Sequence, residues 1–254
     1  MKLLDAVRKK FKLASTTKAR NMIKNGFVQV NGKAVSRPDT EINLKDELTL
    51  LDHADRRPKQ LPFEVFFEDS SILVTCKPAG ISVEEFHKKI RNHVPVVLTH
   101  RLDQKVSGVM VFAKSAAAEK KLEASWSKND KIYVALVEGE PPKPEGKIES
   151  YLVENKALKV YSSEQGPGAK LAISHYKVLK RERRNIYRVE VRLQTGRKNQ
   201  IRVHMSDLGC PIVGDVKYGA ATRMQGRIAL HACQLGFHHP VSRKWMTFTS
   251  KAPF

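Results

Sequence analysis

Acidic residues are scarce in this chain of 254 residues: 26 Asp and Glu stand against 46 Lys and Arg, and the formal net charge at pH 7 is +20. That excess is larger than solubility requires and predicts a polyanionic partner. Nucleic acid is the first candidate, and an anionic membrane surface is the second. Because no basic amphipathic helix with a Trp, Phe and Leu face stands out, the composition favours nucleic acid.

Long apolar runs are also missing. No segment approaches the roughly 20 consecutive apolar residues that span a bilayer. The first residues, MKLLDAVRKKFKL, are charged throughout and lack the apolar centre of a signal peptide. We therefore expect a cytoplasmic protein. Hydrophobic residues make up 41% of the chain, which is enough to build a core and argues against general disorder.

Cysteine is rare, with three residues at widely separated positions, Cys76, Cys210 and Cys233. This odd number and spacing provide neither a disulfide framework nor a Cys-x-x-Cys pair. The nine histidines are scattered, and the neighbours His238 and His239 have no second pair of ligands at metal-binding spacing. We expect no metal site.

Residues 1–52 have the pattern of a small domain. Ser15 can cap a helix in TTKARNMIKNG, whose apolar residues share one face, and Gly26 stands where a C′ glycine belongs. FVQVNGKAV then alternates around Asn31-Gly32, which is the strongest short hairpin signal. DELTLLD predicts a further strand.

This helix and hairpin, SxxxARxxIxxGxVxVNGK, resemble the small alpha-L RNA-binding domain (S-four type). The resemblance implies that four nearby basic residues bind RNA phosphates: Lys18, Arg20, Lys24 and Lys33. Such contacts supply affinity and salt dependence rather than sequence choice. The alternative is that these charges only solvate a helix face.

Residues 53–62, HADRRPKQLP, are polar and contain proline, and they predict a linker.

In residues 63–254, strand-like segments outnumber helical ones. FEVFFEDSSILVTCK predicts two strands, KIYVALVEG one, and SHYKVLKRERRNIYRVEVRLQTG a hairpin around the charged turn at 181–185. KSAAAEKKLEASWSK and NQIRVHMSDLG predict helices, and GRIALHACQLGF predicts the last strand. Because the order is not a regular βαβ repeat, we predict an α+β domain on a mixed or antiparallel sheet.

Three stretches of this second domain resemble, in order, the RluA-type pseudouridine synthase family. HRLDQKVSGVMVFAK is similar to that family's HRLD-x-x-[ST]-SG signature, and GRKNQIRVHMSDLGCPIVGDVKYG to its G-R-[TS]-H-Q-[IL]-R-V-H block with a following G-D-x-x-Y-G. RIALHACQLGFHHPVSRKWMTFTSKAPF resembles its C-terminal block, and KPAG and KIYVALVEG match two shorter landmarks. The resemblance runs from about residue 63 to the last residue.

The resemblance implies a cofactor-free isomerase that breaks the bond from ribose C1′ to uracil N1, turns the base and rejoins it through C5. Asp103 would be the catalytic carboxylate, acting at the ribose or at the base. Arg202 would favour its charged form, and Tyr133 would stack on the extruded base or relay a proton. Without the resemblance, Asp103 and Arg101 at the mouth of a strand would pass for a surface ion pair.

The resemblance also implies four residues that contact RNA near the site: Arg101, Arg197, Lys198 and Gln200. Arg101 would occupy the space left by the flipped uridine, since a guanidinium both stacks and binds phosphate. His100 and His204 are expected to be structural hydrogen-bonding residues rather than acid or base groups.

Two loops depart from the family pattern. Gln104-Lys105-Val106 stands where the family has Thr or Ser before Ser-Gly, and Lys198-Asn199 replaces Thr or Ser followed by His. These changes leave the fine geometry and the substrate open, and they admit a catalytically inactive RNA-binding ribosome-assembly factor.

We predict an active synthase acting on large-subunit ribosomal RNA, because an appended RNA-binding domain is commoner in members that modify ribosomal RNA. Transfer RNA is the second candidate. No protein partner is implied, and we expect a monomer.

Overall fold

The structure is a computed structural model that describes residues 1–13, 15–24, 27–43, 45–50 and 63–254. The chain divides into two compact units, Met1–Leu61 and Pro62–Phe254. The expected helix cap at Gly26 and the expected linker at 53–62 lie outside the described residues. The domain boundary therefore stays a prediction.

The N-terminal unit combines two helices with a small antiparallel sheet. Its elements are α1 Leu3–Lys10, α2 Thr16–Lys24, β1 Val28–Val30, β2 Lys33–Ala34 and β3 Leu48–Leu50, with strand order β2-β1-β3. The predicted hairpin is confirmed: Asn31 and Gly32 connect β1 and β2 with φ values of 52° and 76°, the left-handed pair that a tight hairpin turn requires. We did not predict α1, in which Leu3 and Val7 are fully buried while the basic end is exposed.

The C-terminal unit is built on one sheet of eleven strands in residues 63–254. The strands are β4 Val65–Glu68, β5 Ile72–Lys77, β6 Val97–Leu98, β7 Ser107–Ala113, β8 Asp130–Glu138, β9 Glu145–Glu154, β10 Val160–Ser163, β11 Lys170–Arg183, β12 Ile186–Leu193, β13 Leu230–His238 and β14 Trp245–Thr249. The order is β10-β9-β11-β12-β8-β13-β7-β5-β4, with β14 paired to β13 and β6 to β7.

The sheet has the mixed character that we predicted. All its strand pairs are antiparallel except β7 with β13, which are parallel. The predicted hairpin is confirmed as β11–β12, although β11 continues to Arg183 and leaves a shorter turn than expected. The prediction that GRIALHACQLGF is the last strand is wrong, because β14 follows β13 and extends the sheet.

Helices cover parts of this sheet. They are α3 Val83–Arg91, α4 Ala116–Ala124 and α5 Gln200–Asp207, with short 3-10 turns at Trp126–Lys128 and Val216–Tyr218. Ser115 begins α4 by accepting a hydrogen bond from the Ala118 amide at 3.2 Å, as an N-cap does. Across the described part of the chain, no helix combines the length and apolarity needed to cross a membrane.

The junction between β7 and β13 requires a glycine. Gly108 has a φ of 139°, and a Cβ at this position would overlap the carbonyl oxygen and Cβ of Ala232. Any side chain would therefore push β13 away from β7. All seven residues of β7 are buried. The close junction and this burial together hold the start of β7 in place, and with it the end of the preceding loop, which carries Asp103.

Candidate active site

An open cleft of about 230 Å³ lies between the loop before β7, the strands β8 and β13, and the start of α5. Asp103, Tyr133, Arg101 and Arg202 all line it. These residues come from three distant parts of the sequence, so the fold brings together the three residues predicted to be catalytic and the predicted base-flipping arginine.

Asp103 and Arg202 make the contact that we expected. Arg202 Nη1 donates to Asp103 Oδ2 at 3.0 Å, and the side chains are 11% exposed for Arg202 and 20% for Asp103. The same guanidinium also binds Asp215, with Nε donating to Oδ2 at 2.6 Å and Nη2 to Oδ1 at 2.8 Å. Asp215 is 1% exposed. One arginine therefore serves two carboxylates: a buried one that it binds in bidentate fashion, and one at the cleft that it binds through a single atom.

The charge of Arg202 is secured by this arrangement. Burial disfavours the charged guanidinium, but the hydrogen bonds and charges of Asp215 and Asp103 outweigh it and raise the pKa of Arg202 above its ordinary value. The guanidinium therefore remains cationic between its two aspartate partners.

Asn199 fixes the orientation of Arg202 from the start of α5. Its Oδ1 accepts from Arg202 Nη1 at 3.1 Å, and its Nδ2 donates to the Tyr218 hydroxyl at 3.0 Å. That hydroxyl donates to the Val160 carbonyl at 3.1 Å, while the Tyr218 ring lies 4.8 Å from Arg202 Cζ. Asn199 has a φ of 55°, a left-handed conformation that asparagine tolerates better than most residues. This departure from the family pattern thus has a clear structural role.

The other departure, Gln104-Lys105-Val106, also has a structural explanation. Gln104 Nε2 donates to the Gly80 carbonyl at 3.1 Å, and the Gly80 amide donates back to the Gln104 carbonyl at 2.8 Å. Val106 is buried in the main core, and its amide donates to the Asp103 carbonyl at 3.0 Å. Lys105 accepts a hydrogen bond from the Ile228 amide at 3.1 Å through its carbonyl. The loop that carries Asp103 is thus held on both sides.

Lys77, in the KPAG landmark, also forms hydrogen bonds that hold this loop in place. Its side chain is fully buried, and Nζ donates to the carbonyls of Pro78 at 2.8 Å, Ile81 at 2.9 Å and Gln104 at 3.4 Å. Burial lowers the pKa of Lys77 to about 8, although the charge of Asp103 opposes the shift. This buried ammonium therefore ties the KPAG turn to the residue after Asp103.

Tyr133 projects from β8 into the cleft. Burial, followed by the negative charge of Asp103, raises the pKa of its hydroxyl above the ordinary value. The hydroxyl therefore remains protonated at neutral pH, and the ring offers a partly buried aromatic surface beside Asp103.

The residues predicted to contact RNA near the site differ in their surroundings. Arg101 is exposed at the cleft. Arg197 is exposed and donates from Nε to the Leu171 carbonyl at 3.0 Å, while Lys198 forms an ion pair with Glu154.

Gln200 has a different environment from the one expected of an RNA contact. It is 2% exposed, and its Nε2 donates to the Ile173 carbonyl at 3.0 Å and to Ser174 Oγ at 2.9 Å. Its Oε1 accepts from Thr195 Oγ1 at 2.8 Å and from the Arg197 amide at 2.9 Å. Because the whole amide is used inside the protein, Gln200 shapes the loop that carries Arg197 rather than facing solvent.

The two histidines have the hydrogen bonds expected of structural residues. His100 Nε2 accepts from the Val111 amide at 3.0 Å, and His204 bonds the hydroxyls of Ser174 and Ser150 at 2.9 and 3.2 Å. Burial and the charge of Lys131 lower the pKa of His100 to about 3, and burial lowers that of His204 to about 4. Both rings are therefore neutral at neutral pH.

In the N-terminal unit, the predicted RNA-binding residues lie on α2 and β2. Arg20, Lys24 and Lys33 are exposed. Lys18 lies within α2, and its side chain is outside the described residues. Among the residues that the structure describes in either unit, no group of three His, Cys, Asp or Glu side chains is arranged to hold a metal ion.

Three residues of the site escaped the sequence analysis: Asp215, Tyr218 and Lys77. Each lies in a stretch that matched a family landmark, GDVKYG or KPAG, without receiving a role. An isolated Asp after Gly is typical of a turn, so only the spatial pairing with Arg202 reveals what Asp215 does.

Comparisons with known proteins follow the same division of the chain. The family model described as RNA pseudouridylate synthase matches residues 71–207, and the S4 domain model matches residues 1–48. An uncharacterized RNA pseudouridine synthase of Aquifex aeolicus is 30% identical over 92% of this chain and 84% of its own length. Ribosomal large subunit pseudouridine synthase D of Vibrio parahaemolyticus is 30% identical over 99% of this chain and 87% of its own length.

A solved structure shares the fold. Human RNA pseudouridylate synthase domain containing 1 superposes with a TM-score of 0.67 and 24% identity, covering 76% of this chain and 85% of its own. The family match over more than half of the sequence, together with relatives aligned along nearly all of it, shows that this chain belongs to the RNA pseudouridine synthase family, with an N-terminal S4 RNA-binding domain, and is an isomerase.

Proposed function

We propose that this pseudouridine synthase modifies uridines of large-subunit ribosomal RNA and that Asp103 is its catalytic carboxylate. The observation that carries the catalytic assignment is the sharing of Arg202 between buried Asp215 and cleft-lining Asp103. The substrate assignment is supported by relatives named ribosomal large subunit pseudouridine synthase D, which align over 99% of this chain. Ribosomal RNA as substrate would agree with the cytoplasmic location expected from the sequence.

The arrangement leaves one edge of the Asp103 carboxylate available to substrate. Within the described part of the chain, only its Oδ2 accepts a hydrogen bond, from Arg202. Because Asp215 already engages two other N–H groups of Arg202, the arginine positions Asp103 without fully neutralising it. A carboxylate held in this way can add to the substrate as a nucleophile or take up a sugar proton. Either route suits an oriented and ionised Asp103.

The reaction conserves the atoms of the nucleoside. The bond between C1′ and N1 breaks, a bond between C1′ and C5 forms, C5 loses a proton and N1 gains one. Tyr133 can act at two steps of this reaction. Its ring can stack on the detached base, and its protonated hydroxyl can donate a hydrogen bond. Such a hydroxyl passes a proton on only when it receives another, because its pKa is raised.

Arg101 and Arg197 are the RNA contacts that fit this cleft. A uridine within structured RNA must be flipped out at a cost of a few kcal/mol, and an exposed guanidinium at the cleft edge can fill the vacated space. Lys198 can join them by exchanging its exposed partner Glu154 for a phosphate. The basic residues of the S4 domain would add affinity from the N-terminal unit.

Replacing Asp103 by asparagine tests the assignment. In cells lacking the native protein, the Asp103→Asn variant should leave the target uridines unmodified while its affinity for RNA persists, because this change removes one charge and keeps the side-chain shape. Asp39→Asn makes the same chemical change at an exposed position and should restore modification. Pseudouridine mapping across total RNA reports both results and the identity of the substrate.

Three outcomes of that map would contradict the proposal. Identical pseudouridine maps for wild type and Asp103→Asn would remove Asp103 from the chemistry. Losses confined to transfer RNA would assign the enzyme to transfer RNA instead. A wild-type protein that restores no pseudouridine at all would indicate an inactive RNA-binding member of the family.

A further inference from the structure

The β11–β12 hairpin ends in a strongly basic tip, residues 180–185 with the sequence KRERRN, which we call the basic hairpin tip. Its four cationic side chains are all exposed: Lys180, Arg181, Arg183 and Arg184. Its one carboxylate, Glu182, is already engaged by Arg188 and by Lys180, the latter at 3.2 Å. The tip therefore presents positive charge that its own acidic residue does not neutralise.

The three arginines lack acidic partners in the described part of the chain. No ion pair involves Arg181, Arg183 or Arg184 there, and Arg181 lies with its Cζ 5.8 Å from the centroid of the Tyr187 ring. Clustered like charges repel one another and oppose the compact state. A polyanion would relieve that repulsion, and the planar guanidinium fork matches the geometry of phosphate oxygens.

The backbone of the basic hairpin tip is held in place before any partner arrives. Asn185 makes the turn with a φ of 59°, and its carbonyl accepts from the Gly139 amide at 2.9 Å. On the other strand, the Val178 amide donates to the Pro144 carbonyl at 2.7 Å. Irregular pairing between 178 and 183 adds bulges, which twist a hairpin and redirect its side chains. A prearranged cluster loses less entropy when it binds.

The basic hairpin tip is remote from the cleft. Strand β12 runs from Ile186 beside the tip to Leu193 at the cleft, and at about 3.3 Å per residue this distance is roughly 23 Å. A flipped uridine and its immediate neighbours do not extend that far. RNA bound in the cleft would therefore reach the tip only through a segment that flanks the modification site.

On this basis, and resting on the proposed function, we propose that the basic hairpin tip is a second RNA-backbone contact that binds a flanking segment of a long, structured substrate. It contributes to the affinity for extended RNA and not to the chemical step. It also separates substrates by size, because a minimal stem-loop occupies the cleft without touching the tip.

The test uses the full chain with Arg183 and Arg184 both changed to alanine. Two RNAs carry the mapped target uridine: a long folded fragment of the substrate RNA and a minimal stem-loop. For the long RNA, we expect affinity to fall on the order of tenfold at low salt. The salt dependence should also become weaker: the negative slope of log affinity against log salt should decrease in magnitude by about 2, one for each lost phosphate contact. Affinity for the stem-loop and kcat on both RNAs should stay at the wild-type value.

A matched variant controls for the loss of charge alone. Lys120 and Lys121, exposed on α4, are changed to alanine to remove the same two positive charges elsewhere. Equal losses of affinity in both double variants would show a general charge effect and overturn the proposal. Unchanged affinity of R183A/R184A for the long RNA would also overturn it and would leave a different macromolecule as the partner of the tip. Failure of the proposed function is distinct, since the pseudouridine map would then place the target uridine in transfer RNA or show no pseudouridine that depends on the wild-type protein.

Discussion

Replacing Asp215 by asparagine should damage the fold of the C-terminal unit more than the same change at Asp103. Asp215 is 1% exposed and accepts two hydrogen bonds from Arg202, at 2.6 and 2.8 Å. An asparagine there can accept only one of them, and its NH2 group would face the other donor. Removing one partner of a buried ion pair costs about 3–5 kcal/mol. Because Asp103 still offsets part of the Arg202 charge, we expect about 3 kcal/mol.

The matched change at Asp103 should cost much less stability. Asp103 is at the cleft, receives one hydrogen bond from Arg202, and would leave the bidentate Asp215 pair intact. An asparagine oxygen can still accept that bond, so we expect a loss of about 1 kcal/mol. A unit of this size loses about 2–4 °C of Tm per kcal/mol, which predicts falls of about 6–12 °C for Asp215→Asn and about 2–4 °C for Asp103→Asn.

Thermal unfolding followed by near-UV circular dichroism, together with pseudouridine formation, would separate the two carboxylates. Asp103→Asn should retain most of the Tm and lose the activity. Asp215→Asn should lose Tm and show reduced activity even at temperatures at which it is folded, because Arg202 would lose the bidentate contact that helps to hold it towards Asp103. Equal Tm values for the two variants would refute the division into a buried structural carboxylate and a reactive one.

Three further predictions concern pH, packing and the N-terminal unit. His204 has a pKa of about 4 in the fold against 6.5 when unperturbed, so its contribution of about 3 kcal/mol is present above pH 6.5 and is lost as the pH falls towards 4. His204→Gln should lessen the fall of the urea midpoint over that range without abolishing it, because His100 also has a lowered pKa, and the change at exposed His175 to Gln should leave the fall as it is. Gly108→Ala should lower Tm strongly through overlap with Ala232, whereas Gly166→Ala, where nothing lies within 4 Å, should not; equal Tm values would contradict the packing argument. Deleting residues 1–52 should weaken RNA binding in filter-binding assays and leave the near-UV circular dichroism of the C-terminal unit intact. Loss of that circular dichroism would show that the predicted domain boundary is wrong.

Local patterns in the sequence predicted a good part of this structure. The Asn31-Gly32 turn and the helix begun by Ser115 depend on the residues within a few positions, which makes them visible in sequence. The contact between Asp103 and Arg202 was also predicted, although only the family resemblance supplied it, since 99 positions separate the two residues.

What could not be predicted depends on the partners that the fold supplies. Gln200 has the polarity of a surface residue, and its burial follows only from the carbonyl and hydroxyls that surround it. The sequence around Asp215 predicts only a turn, and the role of its carboxylate follows from the position of Arg202 in the fold. Strand β14 is short and half exposed, so its apolar alternation is weak and its existence depends on pairing with β13.

The position of β13 also governs when the enzyme can become active during its own synthesis. This strand comes late in the sequence, yet it lies in the middle of the sheet between β8 and β7. A nascent chain that stops before Leu230 would hold two disconnected half-sheets, one bearing Asp103 and the other Tyr133. Domains fold as units while chains emerge at about 5–20 residues per second, and non-local pairing of this kind is slow. Asp103 and Tyr133 would therefore come together only after β13 has been synthesised and has paired with both half-sheets.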